Sequence, residues 1–243
     1  ANGTSVFVTT QDVIKTNAQH AYAVYADSLI AAKALKEQLA VFVANPSDEN
    51  FSLAKKAWLA AREPYGQSEV FRFREGPIDN LTKDAAGNWV LEPEAGPEGA
   101  INAWPLAEAL IDYTQDMDGL QNPENPSTLP AGGNIIADIE SFPVIDKATI
   151  QAQFERGDDE ANVTSGYHAI EFLLWGQDLN ADGTYTANRD YSAGYRKATD
   201  FYTIENQMGQ CTSGEAGAAN AICVRRSQYL LAAADLLIDD LKS

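Results

Sequence analysis

The residues best placed to do chemistry are His168 and Glu171, in the stretch SGYHAIEFLLWGQDLN at 165–180. His168 is one of two histidines in the chain, and it stands one helical turn before the glutamate in otherwise apolar company. On an α-helix, residues three or four apart share a face. Thr164, His168, Glu171 and Trp175 then form one stripe, beside an apolar one of Val163, Tyr167, Ile170 and Leu174. An imidazole and a carboxylate that converge in this way suit iron, zinc or manganese, and helical bundles complete such pairs with carboxylates from facing helices. The same spacing also satisfies a buried histidine by a hydrogen bond within its own helix, so spacing alone leaves a ligand pair and a packing pair both open. Gly166 has no side chain, which lets a neighbouring helix approach closely.

Two more stripes are candidates to face that helix. Arg62, Tyr65, Glu69 and Arg72 fall at i, i+3, i+7 and i+10, a polar face where a core helix is normally apolar. Trp104, Glu108 and Asp112 follow at successive i+4 steps. Facing His168, Glu69, Glu108 or Asp112 would complete a coordination shell, with Arg62 and Tyr65 orienting ligands or an anion. Each stripe reads equally well as a solvated face carrying surface ion pairs.

The elements that must position these groups are helical. Ile14, Ala18, Ala21, Tyr25, Leu29, Ala32, Leu39 and Phe42 predict a long amphipathic helix from Thr10, stopped by Asn45-Pro46. Ser47 can cap a second helix carrying Phe51, Ala54, Trp58, Ala61 and Tyr65, with Pro64 expected to disturb it about halfway. A long irregular connection follows, with an extended piece at Trp89-Val90-Leu91, and then a third helix through Ile101, Trp104, Leu106, Leu110 and Ile111. Short helices are expected near 134–141 and 146–155, then the histidine helix ending around Gly176, then helices at about 190–208 and 216–241. Strand-like alternation is almost absent. The fold class is therefore all-α, a helical bundle with long irregular connections.

Composition narrows the partners. With 35 acidic and 17 basic residues the net charge is −18, which repels nucleic acid and anionic lipid and leaves cations as the natural small partners, although surplus carboxylates also simply confer solubility. No apolar run approaches membrane-spanning length, and the opening ANGTSVFVTTQD lacks a basic flank and apolar centre, so the numbered chain reads as a soluble or already processed form. Cys211 and Cys223 flank a small-residue segment that could close a disulfide loop in an oxidising compartment; two free thiols are the alternative. Asp178, Asn180, Asp182 and Gly183 match the first half of a calcium loop, but Arg189 stands where a bidentate glutamate is required, so the stretch reads as an Asx-rich turn. His20 lies in a different helix, so the two-histidine zincin pattern is missing, as are the nucleophile elbow, phosphate loop and dinucleotide fingerprint.

The core Gly166, His168 and Glu171 within GYHAIEFLLWGQD resembles the G-x-H-x-x-E signature of imelysin-like proteins, a bacterial cell-envelope family that includes iron-regulated protein A types. AWLAAREPYGQSEVFRF at 57–73, GPEGAINAWPLAEALIDY at 96–113, EANVTSGYHAIEFLLWGQDLN at 160–180 and RRSQYLLAAADLLIDDL at 225–241 are similar to the family's blocks and keep its order. The resemblance implies an exported helical protein of the periplasm or outer-membrane surface, associated with iron uptake and other envelope iron-uptake proteins. Any membrane tie would be a lipid anchor outside this chain. It implies a metal ion or metal complex as ligand, iron first and zinc second, with His168 and Glu171 as ligands, Glu69 as a candidate helper, and Arg62, Tyr65, Trp104 and Gly166 around the ligand; the stripe spacing alone adds Asp112 as a second helper and Glu108 beside it. It also carries an older assignment as a metallopeptidase using the same pair. The chain reads as one imelysin-like domain over 1–243, or as the first part of a longer two-bundle protein.

Overall fold

The structure, a computed structural model, describes residues 8–72, 76–92, 95–104, 106–114, 134–180, 190, 194–208 and 219–243. Four helices dominate: α1 (Thr10–Ala44), α2 (Asp48–Gly66), α7 (Gly166–Trp175) and α8 (Ala219–Asp240). Between them lie the short α3 (Pro77–Asn80), α4 (Glu98–Asn102), α5 (Glu108–Ile111) and α6 (Lys147–Gln153), and a hairpin of β1 (Leu81–Lys83) with β2 (Trp89–Leu91). The fold is all-α, and among the described residues the two strands form only that antiparallel ribbon, with Thr82 opposite Val90.

Local chemistry explains the boundaries. Thr9 and Asp12 form a reciprocal capping box at the start of α1. Ser47 caps α2 by accepting from the Asn50 amide at 3.2 Å. Pro64 does not break α2 midway: the helix runs on to Gly66 and tightens into a 3-10 turn at Gln67–Phe71. Only the second half of α1 buries side chains (Ser28, Ala32, Leu35, Leu39 and Phe42), while Val13, Ile14 and Tyr22 stay exposed. Phe42 stacks on Phe51 with ring centroids 4.9 Å apart, fastening α1 to α2. Lys36 of α1 pairs with Asp235 of α8.

Two expected helices are not formed as read. The third ends at Asn102 and restarts at Glu108, because Pro105 disfavours helical backbone at the residue before it. The stripe Trp104, Glu108 and Asp112 is therefore not one helix face. The segment at 194–208 contains only a 3-10 turn, Ala198–Phe201, and residues 134–141 form turns instead of a helix. Parts of the expected 190–208 and 216–241 helices, most of the calcium-like loop, and Cys211 lie outside the described residues. Cys223 is disulfide-bonded.

Helix α7 is the centre of the bundle. Its first residue, Gly166, has φ +81°, and a Cβ there would fall 2.5 Å from the carbonyl oxygens of both Ala100 and Ile101. The close approach anticipated for Gly166 is thus to α4. Gly166→Ala should cost at least about 2 kcal/mol, through left-handed strain and displacement of α4, read as a lowered urea midpoint. A shift within error would mean that α4 yields freely. The hydroxyl of Tyr167 donates to the Ala61 carbonyl at 3.2 Å, which ties α7 to α2, and that of Tyr229 to the Thr164 carbonyl at 2.7 Å, which ties α8 to the residues leading into α7.

At the far end of α8, Lys147 meets Asp239 at 2.6 Å and pins α6. Burial, reinforced by the charge of Asp239, pushes the neighbouring Asp240 carboxyl up from 3.8 to about 6. The folded state therefore holds this proton more tightly than the unfolded chain. The contribution favours folding fully below about pH 4 and is lost as pH rises to about 6. Asp240→Asn should raise Tm at pH 7.5 and leave it nearly unchanged at pH 4, as read by thermal melts. Equal Tm changes at both pH values would exclude this linkage.

Candidate functional site

Of the ten residues of α7, seven are buried; the three that are not fully buried are His168, Glu171 and Trp175, at i, i+3 and i+7. All three border one cavity of about 390 Å³. The rest of its wall includes Trp58 and Leu59 from α2, Trp104 and Leu106 from the break between α4 and α5, Glu108 from α5, and Gly176, Asp178 and Gly194. The apolar helix thus turns its few polar side chains into a shared hollow, where they avoid the cost of burial in hydrocarbon and can meet a ligand.

His168 Nδ1 lies 2.8 Å from Glu171 Oε2, with the imidazole 17% and the carboxylate 40% exposed. With Nδ1–H donating to the carboxylate, Nε2 is the ring nitrogen left to take a ligand. This carboxylate–histidine arrangement holds an imidazole in a metal-binding orientation. Trp104 is 70% exposed, and its ring lies 5.0 Å from the His168 ring at 58°, so it flanks the imidazole at the cavity mouth. Trp58 and Trp175 meet edge to face at 5.3 Å, and Trp58 Nε1 donates to the Tyr167 carbonyl at 2.9 Å. The walls are thus aromatic and fixed, and the polar groups comprise one imidazole and three carboxylates.

The far wall is held by a second structure. Gly194 passes so close to the end of α7 that a Cβ would meet the Trp175 carbonyl oxygen at 2.0 Å, and the Arg196 amide donates to that carbonyl at 3.1 Å. Arg196 then enters the core, where its Nη1 lies 3.0 Å from Asp112 Oδ2. Arg226 of α8 grips the same carboxylate in two places, Nε to Oδ2 at 2.6 Å and Nη2 to Oδ1 at 2.9 Å, and also donates from Nη1 to the Asp200 carbonyl at 2.6 Å. Burial pushes the Asp112 carboxyl up, but Arg226 and Arg196 outweigh it and hold the group below its ordinary value.

The sequence-predicted residues therefore divide. His168, Glu171, Glu108 and Trp104 meet at the cavity. Asp112 does not: its helical stripe is broken, and two guanidiniums engage its oxygens in the core. Glu69 is exposed on the 3-10 turn after α2 and does not border the cavity. Arg62 and Tyr65 serve another junction. Tyr65 and Arg72 both engage Glu98, the latter at 2.8 Å, and Arg62 donates to Asn102 Oδ1 at 2.6 Å while lying 4.9 Å over the Tyr167 ring. The polar face of α2 is thus a clamp on α4. Gly166 seats α7 and is not part of the wall.

Sequence reasoning did not identify Trp58, Glu98, Arg196 and Arg226 as site or support residues. Only Glu98 carried a local signal, as the acid in the first turn of α4.

A model of the imelysin family, also described as peptidase M75, matches residues 21–243. The chain belongs to the imelysin family. The match spans every element that borders the cavity, α2, α5 and α7 included. No curated protein matches the chain. Among the described residues, no group of three or more His, Cys, Asp or Glu lies close enough together to hold a metal ion, so His168 and Glu171 are a partial donor set. No helix among them is long and apolar enough to cross a membrane.

Proposed function

We propose that this imelysin is an exported cell-envelope protein of iron uptake that holds a metal ion or metal complex in the His168 cavity. One observation carries the reading: the side chains of α7 that escape full burial open on a single hollow that also contains Glu108 and Asp178. A −18 chain draws cations towards such a hollow, and the disulfide at Cys223 fits an oxidising compartment outside the cytoplasm.

The donor set fits an open site. His168 would offer Nε2, Glu171 fixes its ring, and Glu108 and Asp178 add negative potential. A bound iron or zinc ion would supply positive charge and free coordination positions, filled by water or by a chelator that arrives with it. The tryptophan walls favour an incoming group with a flat or apolar surface. The alternative reading, a metal-dependent peptidase, has less support. Hydrolytic zinc centres take about three protein ligands and a base, and here two donors already bond to each other.

Calorimetric titration of metal-stripped protein with ferrous iron, zinc and ferric citrate tests the proposal. A saturable, near-stoichiometric heat with at least one is expected, and no heat with any of the three would contradict it. Chelator-sensitive peptide cleavage that disappears in Glu171→Gln would move the assignment to the peptidase.

A further inference from the structure

A second cavity, of about 530 Å³, lies between the start of α2 and the 196–199 segment, bordered by Asp48, Phe51, Ser52, Lys55, Arg196, Lys197 and Thr199 together with Ala198. Lys55 sits in its wall, half-buried. Its Nζ lies 4.2 Å from the Phe51 ring centre and 5.3 Å from that of Trp175. No carboxylate pairs with it among the described residues, although acidic side chains outnumber basic ones two to one in this chain. An ammonium normally keeps either water or a counter-charge, and Lys55 has given up part of the first without gaining the second. Burial, and then the nearby Arg196 charge, push its pKa down, as expected of a cation held beside another cation.

Arg196 supplies the independent observation. The residue borders this cavity with its side chain fully enclosed; Nη1 lies 3.0 Å from Asp112 Oδ2 and 3.9 Å from Asp200 Oδ2, and among the described residues its Nε and Nη2 find no hydrogen-bond acceptor. Its guanidinium is too enclosed to touch a molecule in the cavity, but its charge reaches Lys55, whose pKa it lowers, and so favours an anion there over a second cation.

We propose that this cavity binds a small oxyanion, a phosphate or a carboxylate, with Lys55 as its principal cation, Arg196 and Lys197 as supporting charges, and the Ser52 and Thr199 hydroxyls within the same wall. Asp48 opposes the anion and limits its size and charge. The site is separate from the His168 cavity, and Trp175 is the residue they share: Lys55 Nζ lies 5.3 Å from its ring centre, and Trp175 borders the first hollow.

The test is thermal stability of the full chain titrated with inorganic phosphate and, separately, malonate, each against sodium chloride of matched ionic strength. A saturable rise in Tm with phosphate, malonate or both is expected, and which one saturates identifies the oxyanion. Lys55→Met should weaken the saturating anion by about tenfold or more, the scale of one lost charge-assisted contact, and Lys197→Met by less. Lys56→Met, which removes an equal charge from an exposed neighbour, should leave the affinity unchanged. Circular dichroism confirms that each variant is folded. The proposal is overturned if neither anion exceeds the chloride control, or if Lys55→Met and Lys56→Met weaken binding equally. Because His168 plays no part, His168→Ala should keep the phosphate or malonate response, which separates failure of this site from failure of the metal site.

Discussion

Asp112→Asn is expected to destabilise the fold by about 3–5 kcal/mol, the scale of removing one partner from a buried ion pair, and to lower Tm by about 10 °C. Asparagine keeps the shape but leaves Arg196 and Arg226, both fully enclosed, facing a neutral amide. The loss should also depend on pH. The folded-state pKa of Asp112 lies below its ordinary 3.8, so its stabilisation is complete above that value and is lost as pH falls through the folded one. Wild type and variant should therefore differ most near neutrality and converge in strong acid. Urea denaturation at pH 7 and in strong acid checks this, and a difference below about 1 kcal/mol at pH 7 would mean that the arginines find other acceptors.

His168→Ala is expected to weaken metal binding by at least about 100-fold, whereas Glu171→Gln, which loosens the ring without removing it, should fall in the 10–100-fold range typical of partners that orient a ligand. Both side chains reach solvent, so the Tm of each variant should stay within a few degrees of wild type. Parallel titrations and melts separate this from a packing role. If the pair merely held α7 in place, both variants would lose stability and neither would lose affinity.

The contrast between Asp112 and His168 shows what the chain made legible. Periodicity located α1, α2, α7 and the C-terminal α8, since each has a continuous apolar face and a recognisable stop, and the spacing within α7 was enough to set His168, Glu171 and Trp175 on one side. Asp112 looked like a ligand because one acid reads much like another when its partner is distant. Here the partner is Arg226, 114 residues away, and no local pattern joins them. The face of Arg62, Tyr65 and Arg72 failed for a related reason: a polar stripe signals a polar partner but not which one, and Glu98 of α4 took that place. The third helix was misread because the residue before a proline resists helical backbone, a rule that Trp104-Pro105 obeys. That break carries Trp104 out to flank the imidazole, so the feature hardest to extend by periodicity is the one that shapes the mouth of the site.

Diffraction from crystals soaked in iron, with data on either side of the iron absorption edge, tests the central claim most directly. The account predicts an anomalous peak in the hollow between Trp104 and Trp175, about 2 Å from His168 Nε2. Saturated crystals with no peak there, the ring touching only protein, would contradict it.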